Sequence, residues 1–92
     1  MAKDGYEWDA AKAAANLRRH GVDFADAVVA LNDPFCLTVA DPDSNGEQRL
    51  VSIGMSLTGQ VLVTVFTHRG DAIRIISSRP ATAIERRRYQ EQ

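Results

Sequence analysis

Apolar and polar positions alternate with two different periods along this chain, and the change falls near residue 34. Before it the pattern is helical. Asp9 reads as an N-cap and Gly21 as a C-terminal stop, with an alanine-rich stretch between them that predicts a helix over residues 10–20. At 100° per residue, Ala10, Ala13, Ala14 and Leu17 fall on one arc, expected to face the core. Lys12, Asn16, Arg19 and His20 fall on a polar arc that can converge on one ligand. Asp23 opens a second helix whose stripe of Phe24, Ala27, Val28 and Leu31 runs until Asn32-Asp33-Pro34 stops it.

Beyond Pro34 the runs are short, β-branched and bounded by turn residues: Phe35 to Ala40, Arg49 to Met55, Val61 to Arg69 and Ala72 to Ser78. They predict four antiparallel strands joined by a loose linker at residues 41–47, a tight turn at Thr58-Gly59-Gln60 and a two-residue hairpin at Gly70-Asp71. Val61 to Phe66 is apolar on both parities, which predicts a central strand covered on both faces. After Pro80, Thr82 and Glu85 have the spacing of a capping box and start a last helix through Arg86, Arg87, Arg88 and Tyr89. The reading is an α+β fold, ordered α-α-β-β-β-β-α, with helices packed on a four-stranded antiparallel sheet.

At 92 residues the chain makes one domain with one modest core. Its apolar runs are far shorter than the ~20 residues that span a bilayer, so a membrane role is not expected and a cytosolic protein is. The lone thiol, Cys36, lies between Phe35 and Leu37, as a small core hydrophobe does.

Net charge of −1 conceals a division. Residues 1–48 carry four Lys or Arg against nine Asp or Glu, whereas residues 49–92 carry seven Arg against three acids. An all-arginine basic half suits phosphate or carboxylate partners, because guanidinium forks grip such oxyanions with paired hydrogen bonds. The same division could also pair internally across the fold.

With a two-residue hairpin, Arg69 faces Ala72 and Thr67 faces Arg74, so the two arginines become diagonal neighbours on one face. Like charges so placed call for a compensating anion or carboxylate. His68 takes the opposite face with Phe66, Ile73 and Ile75, the setting of a partly buried structural histidine. Arg79 has the wrong parity to join Arg74 unless a bulge redirects it, and its face stays unassigned. Arg86 to Arg88 read equally as a solvated helix face or as a patch for RNA phosphate or an acidic protein.

No metal-ligand spacing, phosphate-binding glycine loop or serine-hydrolase elbow is present, so no metal or cofactor is expected. RNA cleavage without a metal needs a proton acceptor, cationic stabilisers and a proton donor. The permanently charged Arg49, Arg69, Arg74 and Arg79 serve as stabilisers and phosphate grips. His20 is the first candidate for the proton, because imidazole titrates near neutrality, although a histidine before a helix-ending glycine can also serve only as a cap. Lys12 and Tyr89 are weaker candidates for that role.

Trp8-Asp9, Lys12, Asn16, Arg19-His20-Gly21-Val22 and Phe24, together with Asp33-Pro34, Arg49, the run R-I-I-S-x-R-x-A over residues 74–81, Glu85-Arg86 and Tyr89, resemble the BrnT family, bacterial toxins with a RelE-like fold. The resemblance implies a cytoplasmic endoribonuclease toxin of a type II toxin–antitoxin pair that inhibits translation. Joined to the chemistry read from the side chains, the expected catalytic residues are His20, Arg69, Arg74 and Arg79, with Lys12, Asn16, Arg19, Arg49 and Tyr89 against RNA. The resemblance further implies a hetero-oligomer with a BrnA-like antitoxin whose ribbon-helix-helix region handles DNA, so that DNA contact is indirect. Two alternatives stand beside it: a non-catalytic interaction domain whose arginine face binds an acidic partner, and a toxin that has kept antitoxin binding but lost cleavage.

Overall fold

A computed structural model describes Ala2, Lys3 and residues 5–44 and 46–92; Asn45, within the expected loose linker, lies outside the described residues. Two short strands, β1 (Ala2–Lys3) and β2 (Tyr6–Glu7), precede helices α1 (Ala10–His20) and α2 (Phe24–Leu31). Strands β3 (Leu37–Ala40), β4 (Leu50–Met55), β5 (Val61–Arg69) and β6 (Ala72–Pro80) follow, and α3 (Ala83–Gln90) ends the fold.

The local signals place the helices as expected. Asp9 caps α1 by accepting from the Lys12 N–H, and Gly21 closes it at φ 70°, a left-handed conformation that glycine adopts without a Cβ penalty. Asp23 caps α2, and Thr82 with Glu85 forms the complete capping box of α3.

The sheet is larger than the expected four strands. Its order is β1-β2-β6-β5-β4-β3, and β2 runs parallel to β6, so a four-stranded antiparallel core becomes part of a six-stranded mixed sheet among the described residues. Two-residue strands lie below the length at which alternation can be read, which is why β1 and β2 escape a periodicity argument. β5 is central and buried on both parities from Val61 to Thr64, as its composition predicts. The hairpin at Gly70-Asp71 sets the expected register, Arg69 opposite Ala72 and Thr67 opposite Arg74.

Two cores lie on opposite sheet faces. On one, Phe24 and Ala27 of α2 pack with Ile75, and Val22 and Ala30 with Leu62. A Cβ on Gly54 of β4 would lie 2.3 Å from the Ala30 carbonyl oxygen, so the end of α2 sits directly on the β4 backbone and only glycine fits there. On the other face, Val61 and Val63 pack with Ala81 and Tyr89, joined by Val51 and Ile53.

Helix α1 turns a different side inward from the one its wheel suggests. Asn16 is buried and Ala13 half-buried, whereas Ala10 and Ala14 are exposed and Leu17 is 49% exposed. The cause is hydrogen bonding. Beyond Arg74, β6 has no strand neighbour on its outer side among the described residues, since β2 pairs with Ile73 and Arg74. The Asn16 amide fills that gap: its oxygen accepts from the Ser78 N–H at 3.0 Å, and its nitrogen donates to the Ser78 carbonyl at 2.8 Å and the Val22 carbonyl at 3.0 Å. Satisfying these buried backbone groups outweighs burial of the alanine arc.

Candidate functional site

Between Val65 and Phe66 the β5–β6 register slips by one: Phe66 pairs with Ile75 and Val65 with Ser77, leaving Ile76 as an extra residue. This bulge decides where the arginines go. Arg74 lies opposite Thr67 and Arg79 opposite Val63, residues of the same parity on β5, so the bulge brings Arg79 onto the sheet face that Arg69 and Arg74 occupy. Arg49, just before β4, continues the parity of Val51 and Ile53 toward that face.

The arginines are not bare. Arg74 Nη1 donates to Glu7 Oε2 at 2.8 Å, Arg69 Nε approaches Glu47 Oε1 at 3.5 Å, and Arg79 grips both oxygens of Glu85 at 2.8 and 2.9 Å. The like-charge neighbours therefore carry one carboxylate each. The Arg79 guanidinium, outweighing burial, holds the Glu85 carboxyl down to about 2, and Glu85 in turn raises Arg79. Half-buried Arg49 has no described partner for its guanidinium.

A second group gathers at the open edge of β6. Lys12, Arg19 and His20 of α1 line a cleft of about 180 Å³ whose far wall is Ile76 and Ser77, the bulge itself. Asn16 forms part of its lining through the amide already committed to Ser78. Three of the four polar-arc residues of α1 are thus available to a ligand. Asn16 is corrected from an RNA-contacting residue to a clamp on the edge of the sheet, because its donors and acceptor are used on backbone. Along β6, Arg74 lies roughly 10 Å from Ser77 by strand rise.

Tyr89 is also corrected. It is buried at the base of α3, and its hydroxyl donates to Asp33 Oδ2, which pushes the phenol up to about 12, with burial adding to the effect. So placed, it is neither a proton acceptor nor a surface for RNA. Burial alone would raise Asp33, but hydrogen bonds from Tyr89 and from the Phe35 and Met55 N–H groups prevail and hold it below the ordinary range. Tyr89 and Asp33 together pin α3 to the end of α2.

His68 departs from the structural reading. It shares a face with Phe66 as expected and meets that ring edge-to-face at 6.0 Å, but it is exposed at the mouth of a pocket of about 400 Å³ lined by Glu47, Gln48, Leu50 and Thr67. Cys36 is half-buried, with its Sγ directed to the Leu31 carbonyl at 3.9 Å. Glu7, Glu47 and Glu85 join the site without a signal in the sequence that marks them as site residues. Glu85 was legible only as a cap, while Glu7 and Glu47 reach the arginines through pairings distant in sequence.

Among the described residues no three metal-ligating side chains are grouped, and no helix is long and apolar enough to cross a membrane. No curated protein matches the chain. Among solved structures it is similar to the Brucella abortus ribonuclease toxin BrnT, at 29% identity and a TM-score of 0.61, over 82% of this chain and 92% of that one. The profile of the ribonuclease toxin BrnT, of type II toxin–antitoxin systems, matches residues 8–85. That span holds the α1 cleft residues, all four face arginines and Glu85, and membership implies an antitoxin partner. The chain belongs to the BrnT family of type II ribonuclease toxins.

Proposed function

We propose that this protein is a metal-independent endoribonuclease that cuts RNA at the β6 edge and so inhibits translation in the cytoplasm. The observation that carries this is the convergence of His20, Lys12 and Arg19 on the bulge at Ile76 and Ser77. In this reading His20 takes the proton of a ribose 2′-hydroxyl, and the 2′-oxygen attacks phosphorus. The 5′-oxygen leaves with a proton delivered by solvent, to which His20 later gives up the one it took, giving a 2′,3′-cyclic phosphate and a 5′-hydroxyl end. Lys12 and Arg19 stabilise the charge that grows on the phosphoryl oxygens, the task a metal ion would otherwise perform. Arg49, Arg69 and Arg74 hold flanking phosphates on the adjoining face, and Arg79 supports them from beyond the bulge.

The three carboxylates bear on regulation. Each of Arg69, Arg74 and Arg79 already pairs with an acidic side chain, so the same face suits acidic residues of an antitoxin as well as phosphate. A BrnA-like antitoxin with a ribbon-helix-helix DNA-binding region would cover this face, exclude RNA and bring the complex to DNA.

The test is incubation of partner-free protein with labelled RNA in EDTA, beside His20→Ala and Arg74→Ala. Wild type is expected to cut, with cleavage down roughly 10²–10⁴-fold in His20→Ala, the usual contribution of a proton-transfer group. Arg69→Ala and Arg74→Ala should relieve growth arrest while leaving the melting temperature within a few degrees. Full activity of His20→Ala would remove the cleft from the chemistry. Loss of wild-type cleavage in EDTA would overturn metal independence.

A further inference from the structure

The pocket below His68 is separate from the α1 cleft and is left unused by the mechanism above. Its lining is chemically mixed: an exposed imidazole, a carboxylate, a primary amide and the aliphatic wall of Leu50, in about 400 Å³. That volume lies at the small end of ligand sites and suits a single nucleobase with its sugar. Arg69 is not part of the lining but reaches it through Glu47, one of whose carboxylate oxygens lies 3.5 Å from the Arg69 Nε. The rest of the frame is fixed. Thr67 Oγ1 donates to the Gln48 carbonyl at 2.6 Å, which holds Gln48 against β5, and the His68 ring meets buried Phe66 edge-to-face.

We infer that this pocket receives a guanine base of the RNA, with His68 as stacking partner and Glu47 as reader of the base edge; the inference rests on the ribonuclease reading of the arginine face. When a phosphate takes Arg69, the Glu47 carboxylate loses its partner and becomes a free pair of acceptors inside the pocket. Guanine alone presents two adjacent donors, N1–H and the 2-amino group, in a fork that matches a carboxylate. Adenine and cytosine set an amino group beside an acceptor nitrogen, and uracil sets one N–H between two carbonyls, so each meets the carboxylate with repulsion. The Gln48 side-chain amide, with no described partner, is available as a donor to guanine O6. Stacking on His68 is indifferent to base identity, so discrimination belongs to Glu47. Release of Glu47 by the same phosphate that binds Arg69 links base reading to backbone engagement.

The experiment has two arms. In the first, the 3′-monophosphates of guanosine, adenosine, cytidine and uridine are titrated into the full chain, and affinity and the His68 ring resonances are followed by NMR. The 3′-GMP is expected to bind at least tenfold tighter than the other three and to shift His68. Glu47→Gln should lower that preference at least tenfold, whereas His68→Ala should weaken all four nucleotides together; both residues are exposed, and a thermal melt checks each fold. In the second arm, cleavage sites on total RNA are sequenced. Cutting without guanine enrichment, together with equal binding of the four nucleotides, overturns the pocket and leaves the ribonuclease reading intact. Selective 3′-GMP binding with no cutting keeps the pocket and overturns the ribonuclease reading.

Discussion

Asn16 shows how one side chain can stand in for a strand. Its amide presents the same donor–acceptor pair as a backbone peptide, and it meets Ser78 as a neighbouring strand would while also taking the Val22 carbonyl. Alanine there would strand a buried N–H and two carbonyls. Asn16→Ala is therefore expected to destabilise the protein by about 2–4 kcal/mol, read from urea unfolding, and a change below ~1 kcal/mol would show that water replaces the clamp. A helical wheel could not reveal this. The wheel ranks residues by apolarity, and at position 16 a hydrogen-bonding demand created by β6, far along the chain, decided which side of α1 turned inward. For Lys12, Arg19 and His20 the same wheel succeeded, because charged and titrating groups on one helix arc stay neighbours whatever the tertiary contacts.

At the scale of elements, α3 is the informative case. Its apolar anchorage is small: Ile84 is 67% exposed, and Tyr89 is its only buried residue. Polar ties hold it, Glu85 to Arg79 and Tyr89 to Asp33, and they make its docking sensitive to pH at both extremes. A carboxyl depressed in the folded state stabilises the fold above its unfolded value and loses that contribution as pH falls through the folded one. For Glu85 the loss runs from roughly pH 4.3 down to about 2, and is on the order of 1–2 kcal/mol after screening of a pair that solvent partly reaches. A phenol raised in the folded state contributes fully below its unfolded value and loses the contribution as pH climbs, for Tyr89 between about 10 and 12. Hydrogen exchange should thus show α3 amides losing protection before those of β5 at both ends. Equal loss in the two elements would mean that the ties carry no separate weight. The capping box made the start of α3 readable from Thr82 and Glu85, but the second use of Glu85, on Arg79, depended on a bulge that no spacing announces.

Across the whole molecule, the charge division resolves in part into internal pairing. Glu7 with Arg74 and Glu47 with Arg69 pair the acidic half of the chain with the basic half, while Lys12, Arg19 and Arg49 keep their cations without a described partner. RNA held by such groups should bind with strong salt dependence, because each neutralised phosphate releases counterions. Lys12→Ala and Arg19→Ala are each expected to lower the slope of log affinity against log salt by about 0.7, the single-strand value per phosphate. Binding measured by fluorescence anisotropy across salt concentrations checks this, and unchanged slopes would move the RNA path away from the α1 cleft.

What the sequence determined by itself is what local chemistry controls. Caps at Asp9, Asp23 and Thr82, stops at Gly21 and Pro34, and a two-residue turn at Gly70-Asp71 set the helices, the register of the β5–β6 hairpin and the shared face of Arg69 and Arg74. Each depends on a few adjacent residues whose preferences do not change with context. The tertiary structure alone decided the rest: the parallel addition of β2, the inward turn of Asn16, the burial of Tyr89, the exposure of His68 and the carboxylate assigned to each arginine. These hinge on backbone groups left unpaired at a sheet edge and on charges brought together across long separations, and such demands exist only once the sheet has formed.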